Sequence, residues 1–589
     1  MKQLIGQNWK LDSLYPNHSG KLEEQLSTLS QQIDQLHLNL KKTETAQDFL
    51  PLFPMIETVI NGCLEVDDFL ICVSSDDVNN AKAGKLLNES TAVRTRFDAF
   101  LLELDHLLSS LSEQEWKELL QYEQIQPGQF FLEERTRLYK DKLPLNMEKL
   151  ITTLSTNGFA GWEDHHNHTL GRLKVPVGED ETLSAGQALN KVMFANDRMV
   201  RLQTNQALEE VCEQNKDAFA TILNRIMGFR LDVYQQRGWK DPLKELLDQN
   251  RIKQQTLKTM MTKIKQNKEM VNTFLKRKAE LNQLYKLAWH DFFAPSFTPK
   301  NQLTYTEAVD LILYHFYNFS DKLGDFAKQA FENGWVEAED RTNKAPGAFC
   351  ASLPLAKESR VFLTFSGSYQ DVVTLAHELG HAYHNYILHE ESAFSQQTCT
   401  SVAETASTFT ENLVLDAAIN KAEKEEKLSL LEMKITNGLK YLTMIPAMFE
   451  FEQKLYQKRQ TGLVSADEIG NLMVEVERDL YGETVDEFDR YRWMTVSHFY
   501  DTEQAFFNIP YTIGYLFSNG VYAMSKSQGA AFPQQYDELL RNSGSMTTEQ
   551  LAKYFLDQDL EEGDFWEASI QPIRDAIEEY LFLTKDRIQ

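Results

Sequence analysis

Apolar side chains recur at helical spacing from the start of the chain. Leu22, Leu26, Leu29, Ile33, Leu36 and Leu40 alternate steps of four and three, which predicts an amphipathic helix with one apolar seam. The seam is short for a free coiled coil, so one leg of an intramolecular helical hairpin is expected. Helical patterning continues to about residue 157, where Asn157-Gly158-Phe159-Ala160-Gly161-Trp162 breaks the period. Gly171 to Glu179 reads as a short strand and turn. From Leu183 to about Phe292 a charged, nearly proline-free stretch predicts long helices, ended by Pro295 and Pro299.

A further helical segment covers Tyr305 to Gly334. The one convincing strand pair follows, with Ala348–Leu353 and Val361–Phe365 flanking a turn. After Tyr369 helical patterning runs to the end, and no repeat or low-complexity segment occurs. The expected class is mostly α, with a small β-sheet beside one key helix. The chain is divided into a helical hairpin region over 1–113, a small mixed domain over 114–190 and a larger domain over 191–589.

Length and composition refine this picture. At 589 residues the chain is too long for a single core. Fifteen prolines and 26 glycines leave room for long helices. Acidic residues outnumber basic ones, 87 to 60, for a net charge of −27. That balance argues against a nucleic-acid partner and against an anionic membrane surface, both of which need clustered Lys and Arg. Cys63, Cys72, Cys212, Cys350 and Cys399 show no paired spacing and read as reduced thiols. With no apolar leader at the N-terminus, a cytoplasmic location is expected. Gln504 to Ser525 carries no charge, yet Asn508, Pro510, Gly514, Asn519 and Gly520 dilute it. Burial inside the protein is expected there rather than a membrane span.

The decisive segment is Thr374-Leu375-Ala376-His377-Glu378-Leu379-Gly380-His381-Ala382-Tyr383-His384. On a helix, successive residues turn by about 100°, so His381 lies about 40° round from His377 and one turn on. Both imidazoles reach one ion, while Glu378, about 100° away, reaches a bound water without ligating the metal. Gly380 keeps the other flank clear. Leu375, Leu379, Ala382 and Tyr386 fall on the opposite, apolar face, and Asp371 caps the helix start.

A catalytic zinc site needs a third protein ligand and an open position. Glu404 supplies the candidate, on a helix where Thr408 and Glu411 share its face and Val402, Ala406, Phe409 and Leu413 form the back. Glu411 is expected to orient a histidine, and His384 is expected beside the site or as a buried hydrogen-bonded histidine. The chemistry expected is peptide hydrolysis by zinc-activated water, with Glu378 as general base and one Zn²⁺ per chain.

At these residues the sequence resembles the thimet oligopeptidase and oligoendopeptidase F family of zinc metallopeptidases, most closely the oligoendopeptidase F branch. The matching segments are Pro346-Gly347-Ala348-Phe349-Cys350, Gly367-Ser368-Tyr369-Gln370-Asp371, His377 to His384, Val402-Ala403-Glu404 with Ser407, and Pro510-Tyr511-Thr512-Ile513-Gly514-Tyr515-Leu516-Phe517. The resemblance implies His377, His381 and Glu404 as ligands and Glu378 as base. It also implies His498, Tyr511 and Tyr515 as groups that hold the substrate carbonyl and the intermediate, with Tyr500 a rival to Tyr511. Two helical lobes enclosing a deep channel are implied, with oligopeptides as substrates. So is an edge strand at Val361 to Gly367, where Phe365, Ser366 and Gly367 would hold the peptide backbone.

Three other readings are open. A helical zinc carboxypeptidase or dipeptidyl carboxypeptidase would need a basic residue for the substrate's C-terminal carboxylate, and Arg490 and Arg492 are the candidates. A non-catalytic, zinc-stabilised binding protein would not need Glu378. The cluster of His165, His166 and His168 beside Glu163 and Asp164 is expected to be a solvated loop rather than a second metal site.

Overall fold

The computed structural model describes residues 5–16, 20–178, 181–297 and 302–588. The chain divides into two compact units, each assembled from three separated segments. The first comprises Met1–Leu145, Asn301–Ala418 and Met524–Gln558, and the second comprises Asn146–Lys300, Ile419–Ala523 and Asp559–Gln589. Both are mainly helical.

In the first unit α1 (Lys21–Leu40) carries the expected seam. Leu22, Leu29, Ile33 and Leu36 are no more than 1% exposed, because α1 packs on both α2 (Leu52–Asp76) and α3 (Ala81–Ser110). Each such leucine stabilises the fold by about 1.5–3 kcal/mol relative to exposure. The seam is thus covered within the chain, by two partner helices rather than one. The helix α4 (Gln129–Tyr139) closes on α3. Ala46–Asp76 is apolar enough by length and composition to cross a membrane, with a mean hydropathy of 1.3, but half of that window is buried. Packing against α1, α3 and the sheet accounts for its apolarity.

The sheet of this unit has three strands, β1 (Val336–Glu337), β2 (Phe349–Leu353) and β3 (Glu358–Phe362), in the order β1-β3-β2. β2 and β3 form the expected hairpin, pairing from Phe349 with Phe362 to Leu353 with Glu358. β1 runs parallel to β3 on its other side. The expected second strand, Val361–Phe365, is therefore shifted toward the turn. It is also the middle strand and not an edge, because the short strand at Val336, which has no alternating pattern to reveal it, pairs with it. Helix α5 (Tyr369–Leu388) lies on β2 and β3, and α6 (Thr400–Lys421) follows it.

The second unit is organised on the helix Arg198–Arg237, which runs for 40 residues. Its start is tied down by Asp291, which accepts hydrogen bonds from Arg198 and Arg201. Lys174–Val177 pairs with Glu181–Ser184, so a strand stands where the helical array was expected to open; Glu179 lies outside the described residues. The histidine cluster falls on the helix Ala160–Arg172, not in a solvated loop. His166 is fully buried there, stacked on Tyr500 and bonded through Nε2 to the Met494 carbonyl oxygen at 2.9 Å. The glycines that suggested a break end one helix at Gly158 and begin the next at Ala160. Helix α7 (Lys424–Leu439) passes through a π-helical turn, Lys440–Met444, into Ile445–Arg459. The uncharged stretch forms α8 (Ile509–Gln528), whose residues Thr512 to Tyr522 are buried, as expected.

Candidate metal centre

The start of α5 is fixed by local chemistry. Ser368 accepts a hydrogen bond from the Asp371 amide, and Asp371 accepts from the Ser368 amide in return, a capping box. Asp371 also accepts from the amide and hydroxyl of Ser366, at 2.9 and 2.7 Å. The helix is anchored two turns before its first metal-binding histidine. Leu375, Leu379 and Ala382 are buried on its back, whereas Tyr386 is 38% exposed. Tyr386 departs from the expected core face because its ring packs on Phe326 and Tyr383 at the rim.

Three donor atoms converge on the other face. His377 Nε2 and His381 Nε2 are 3.2 Å apart, and Glu404 Oε2 lies 3.4 Å from each. Ligands about 2.0–2.1 Å from a tetrahedral ion stand about 3.3–3.4 Å from one another, so the triangle has the edge length of a zinc site. Among the described residues this is the group of histidine, cysteine and acidic side chains close enough to share an ion. Two imidazoles and one carboxylate are also the donor set of catalytic zinc in peptidases.

Neighbouring side chains hold each donor in place. His377 Nδ1 is paired with Glu411, which leaves Nε2 to face the other two donors. Glu404 Oε2 accepts from the Ser407 hydroxyl at 2.7 Å, one turn along α6. The two helices touch at Gly380. A Cβ there would lie 2.5 Å from the Ala406 carbonyl oxygen, 2.7 Å from Ser407 Cα, and closer still to Thr410 Oγ1. Thr410 donates across this contact to the Ala376 carbonyl oxygen at 2.8 Å. Gly380 therefore does more than keep a flank clear, because its lack of a side chain sets the distance between the helices.

The electrostatics follow from that proximity. Burial alone would raise the Glu404 carboxyl, yet His381 and His377 hold it down to about 2. Burial alone would lower His377, yet the Glu411 hydrogen bond and the surrounding carboxylates raise it to about 10. Protons and a cation compete for the same three atoms. Glu378 is 5% exposed, and burial raises its carboxyl above the usual range against the pull of His377 and His381. His384 is the buried hydrogen-bonded histidine. Its Nε2 is 2.7 Å from Ser543 Oγ, and burial followed by His381 takes it down to about 4, so it is neutral.

The remaining candidates belong to the second unit. His498 Nδ1 is 2.9 Å from Asn508 Oδ1, and its ring is parallel to that of half-buried Tyr511 at 5.9 Å. Tyr515 stacks on Tyr441 at 4.2 Å, and Tyr441 lies in the π-helical turn. Tyr500 is withdrawn as a rival. It is fully buried, and its ring is stacked 3.6 Å from His166. Asn508 and Tyr441 are supports that the sequence did not mark, since neither sits at a patterned spacing.

Phe365, Ser366 and Gly367 lie past the end of β3, between the sheet and α5. The Phe365 amide donates to Ala338, the Ser366 amide donates to Asp371, and the Gly367 carbonyl accepts from Leu303. Arg490 donates to Asn471 and Asp467, while buried Arg492 pairs with Glu477 at 3.1 Å.

A sequence profile of peptidase family M3 matches residues 192–571, and an oligopeptidase F profile matches residues 108–174. The chain belongs to peptidase family M3. It is accordingly a metallopeptidase, and the M3 match includes every candidate residue from Phe365 to Tyr515. The M3 chain is 22% identical over 441 residues to the group B oligopeptidase PepB of Streptococcus agalactiae, covering 72% of each chain. It is 22% identical to the chromosomal oligoendopeptidase F of Lactococcus lactis, over 56% of this chain and 55% of that one. Its fold matches the crystal structure of a Chlamydophila abortus protein assigned as a peptidase, with a TM-score of 0.82, 20% identity and 99% of each chain covered. It also matches oligoendopeptidase F from Enterococcus faecium, with a TM-score of 0.72, 15% identity, and coverage of 96% of this chain and 99% of that one.

Proposed function

We propose that this M3 peptidase is a zinc endopeptidase that hydrolyses internal bonds of short, unstructured peptides. One zinc ion would be held by His377, His381 and Glu404. The observation that carries the reading is the triangle of Nε2, Nε2 and Oε2 atoms at 3.2–3.4 Å, backed by the family membership. Bound there, zinc supplies a Lewis acid that acidifies water and polarises a peptide carbonyl. Glu378 takes the proton from the attacking water and delivers it to the leaving amine. Glu411 holds a proton on His377 Nδ1 and so keeps the Nε2 lone pair directed at the metal position. Ser407 fixes which oxygen of Glu404 points inward.

His498, Tyr511 and Tyr515 are assigned to the substrate carbonyl and the developing oxyanion on the resemblance. Their own surroundings favour Tyr511, which is half-buried and ring-paired with His498. Two observations support internal cleavage over carboxypeptidase action. The curated relatives are named oligopeptidases and oligoendopeptidases, and Arg490 and Arg492 are both engaged in ion pairs of their own unit. Digestion of a random peptide pool, followed by mass spectrometry with and without chelator, tests the reading. Internal cleavage that chelator stops and zinc restores is expected. Release of only C-terminal residues or dipeptides would reassign the enzyme, and indifference to chelator would contradict it.

A further inference from the structure

The first unit contains a cavity of about 410 Å³ that opens beside the metal centre, within the size range of small-ligand pockets. Its walls include His381 and Ala403, the latter preceding Glu404, so the cavity is continuous with the proposed ligands. The facing wall comes from the N-terminal helices, which neither the motif nor the resemblance brought to the site. Ile60 and Leu64 of α2, Phe97 and Leu101 of α3, and Phe131 of α4 present apolar surface, and Leu388 closes the end of α5. Ile60, Leu64 and Leu101 are only half-buried, although the core beneath them is complete. Apolar side chains ranged along a concave wall next to a reaction centre are a site for an apolar group.

The charged groups on this wall neutralise one another. Arg135 is held by Asp105 through two hydrogen bonds, at 2.6 and 3.0 Å, and Arg94 is paired with Asp67 at 2.7 Å. Asp98 is influenced by both guanidinium groups. Two arginines face three aspartates, so no cation is left over for an acidic side chain or for a C-terminal carboxylate. His389, on the same wall, is bonded to Ser352 and is kept neutral by burial, which takes it down to about 4.

We propose that this cavity receives one side chain of the peptide substrate and selects a large, uncharged, apolar residue such as leucine or phenylalanine. The inference rests on the peptidase reading, and it makes the N-terminal helices determinants of specificity. The test uses two filling variants, Leu101→Trp and Leu64→Trp, each checked for unchanged metal content and melting temperature. Peptides differing only at the preferred position, with Leu, Ala, Asp or Lys there, are compared by kcat/KM. Their affinities are also measured in a Glu378→Gln background, where binding is read without turnover.

Filling the cavity should lower kcat/KM and affinity for the Leu peptide about tenfold, and those for the Ala peptide about threefold or less. Equal shifts for all peptides, or none in either variant, would overturn the subsite while leaving the peptidase reading intact. A wild-type preference for Lys that the variants remove would replace it with a basic-residue subsite. Absence of any cleavage or peptide binding by the wild type would remove both.

Discussion

The α5–α6 pair and the α8 region hold their functional side chains by different means. On α5 and α6 the donors are spaced by the helix period itself, and a single close contact at Gly380 sets the distance between the two helices. Around α8 the side chains are held by partners remote in sequence. Tyr441 of a π-helical turn stacks on Tyr515, and Asn508 engages His498. The π-turn is itself tied to α8, because Thr512 donates to the Tyr441 carbonyl oxygen at 2.9 Å. A metal site demands fixed donor distances and is built from rigid local geometry. Hydroxyl donors tolerate more variation, and here they are set by stacking.

The comparison breaks first at Glu378. Glu378→Gln should lower turnover about a hundredfold to ten-thousandfold with metal content unchanged, and near-normal turnover would remove it as the base. Gly380→Ala strikes the helix contact and should destabilise the first unit by about 1–3 kcal/mol while lowering metal content. A variant with full metal content and an unchanged melting temperature would show that the contact does not set the donor spacing.

Tyr511→Phe should lower kcat at least about tenfold with little change in KM, since a donor to the transition state is lost. Tyr500→Phe should leave kcat within about twofold, because its buried ring has no access to substrate. Equal effects of the two would return Tyr511 to a packing role.

The smallest effect is one of pH. Glu452 accepts from the Phe506 amide just before α8, and burial pushes its carboxyl up to about 8. The folded state therefore holds a proton that the unfolded chain releases near 4.5. This contribution to stability is complete below the unfolded value and is lost as pH rises through about 8. Melting temperature measured from pH 5 to 8 should fall less in Glu452→Gln, by about 2–4 °C or more. Parallel curves would show that Glu452 is ionised in the fold.

Helical class, the α1 seam, the β2–β3 hairpin and the pairing of Glu404 with the two histidines were legible because each follows a period of the backbone. Glu411 was legible for the same reason, as it lies on the Glu404 face of α6. β1 was not, since a two-residue parallel strand leaves no alternation, and without it β3 passed for an edge. The burial of His166 was hidden because its partners, Tyr500 and Met494, are distant in sequence. The wall formed by Leu64, Leu101 and Phe131 was hidden because a concave apolar surface has the same pattern as a packed one.

Anomalous diffraction at the zinc edge on crystals of the wild-type enzyme tests the central claim most directly. One peak about 2.0–2.2 Å from His377 Nε2, His381 Nε2 and Glu404 Oε2 is predicted. A fully active enzyme with no metal at that point, or with the ion bound elsewhere, would contradict it.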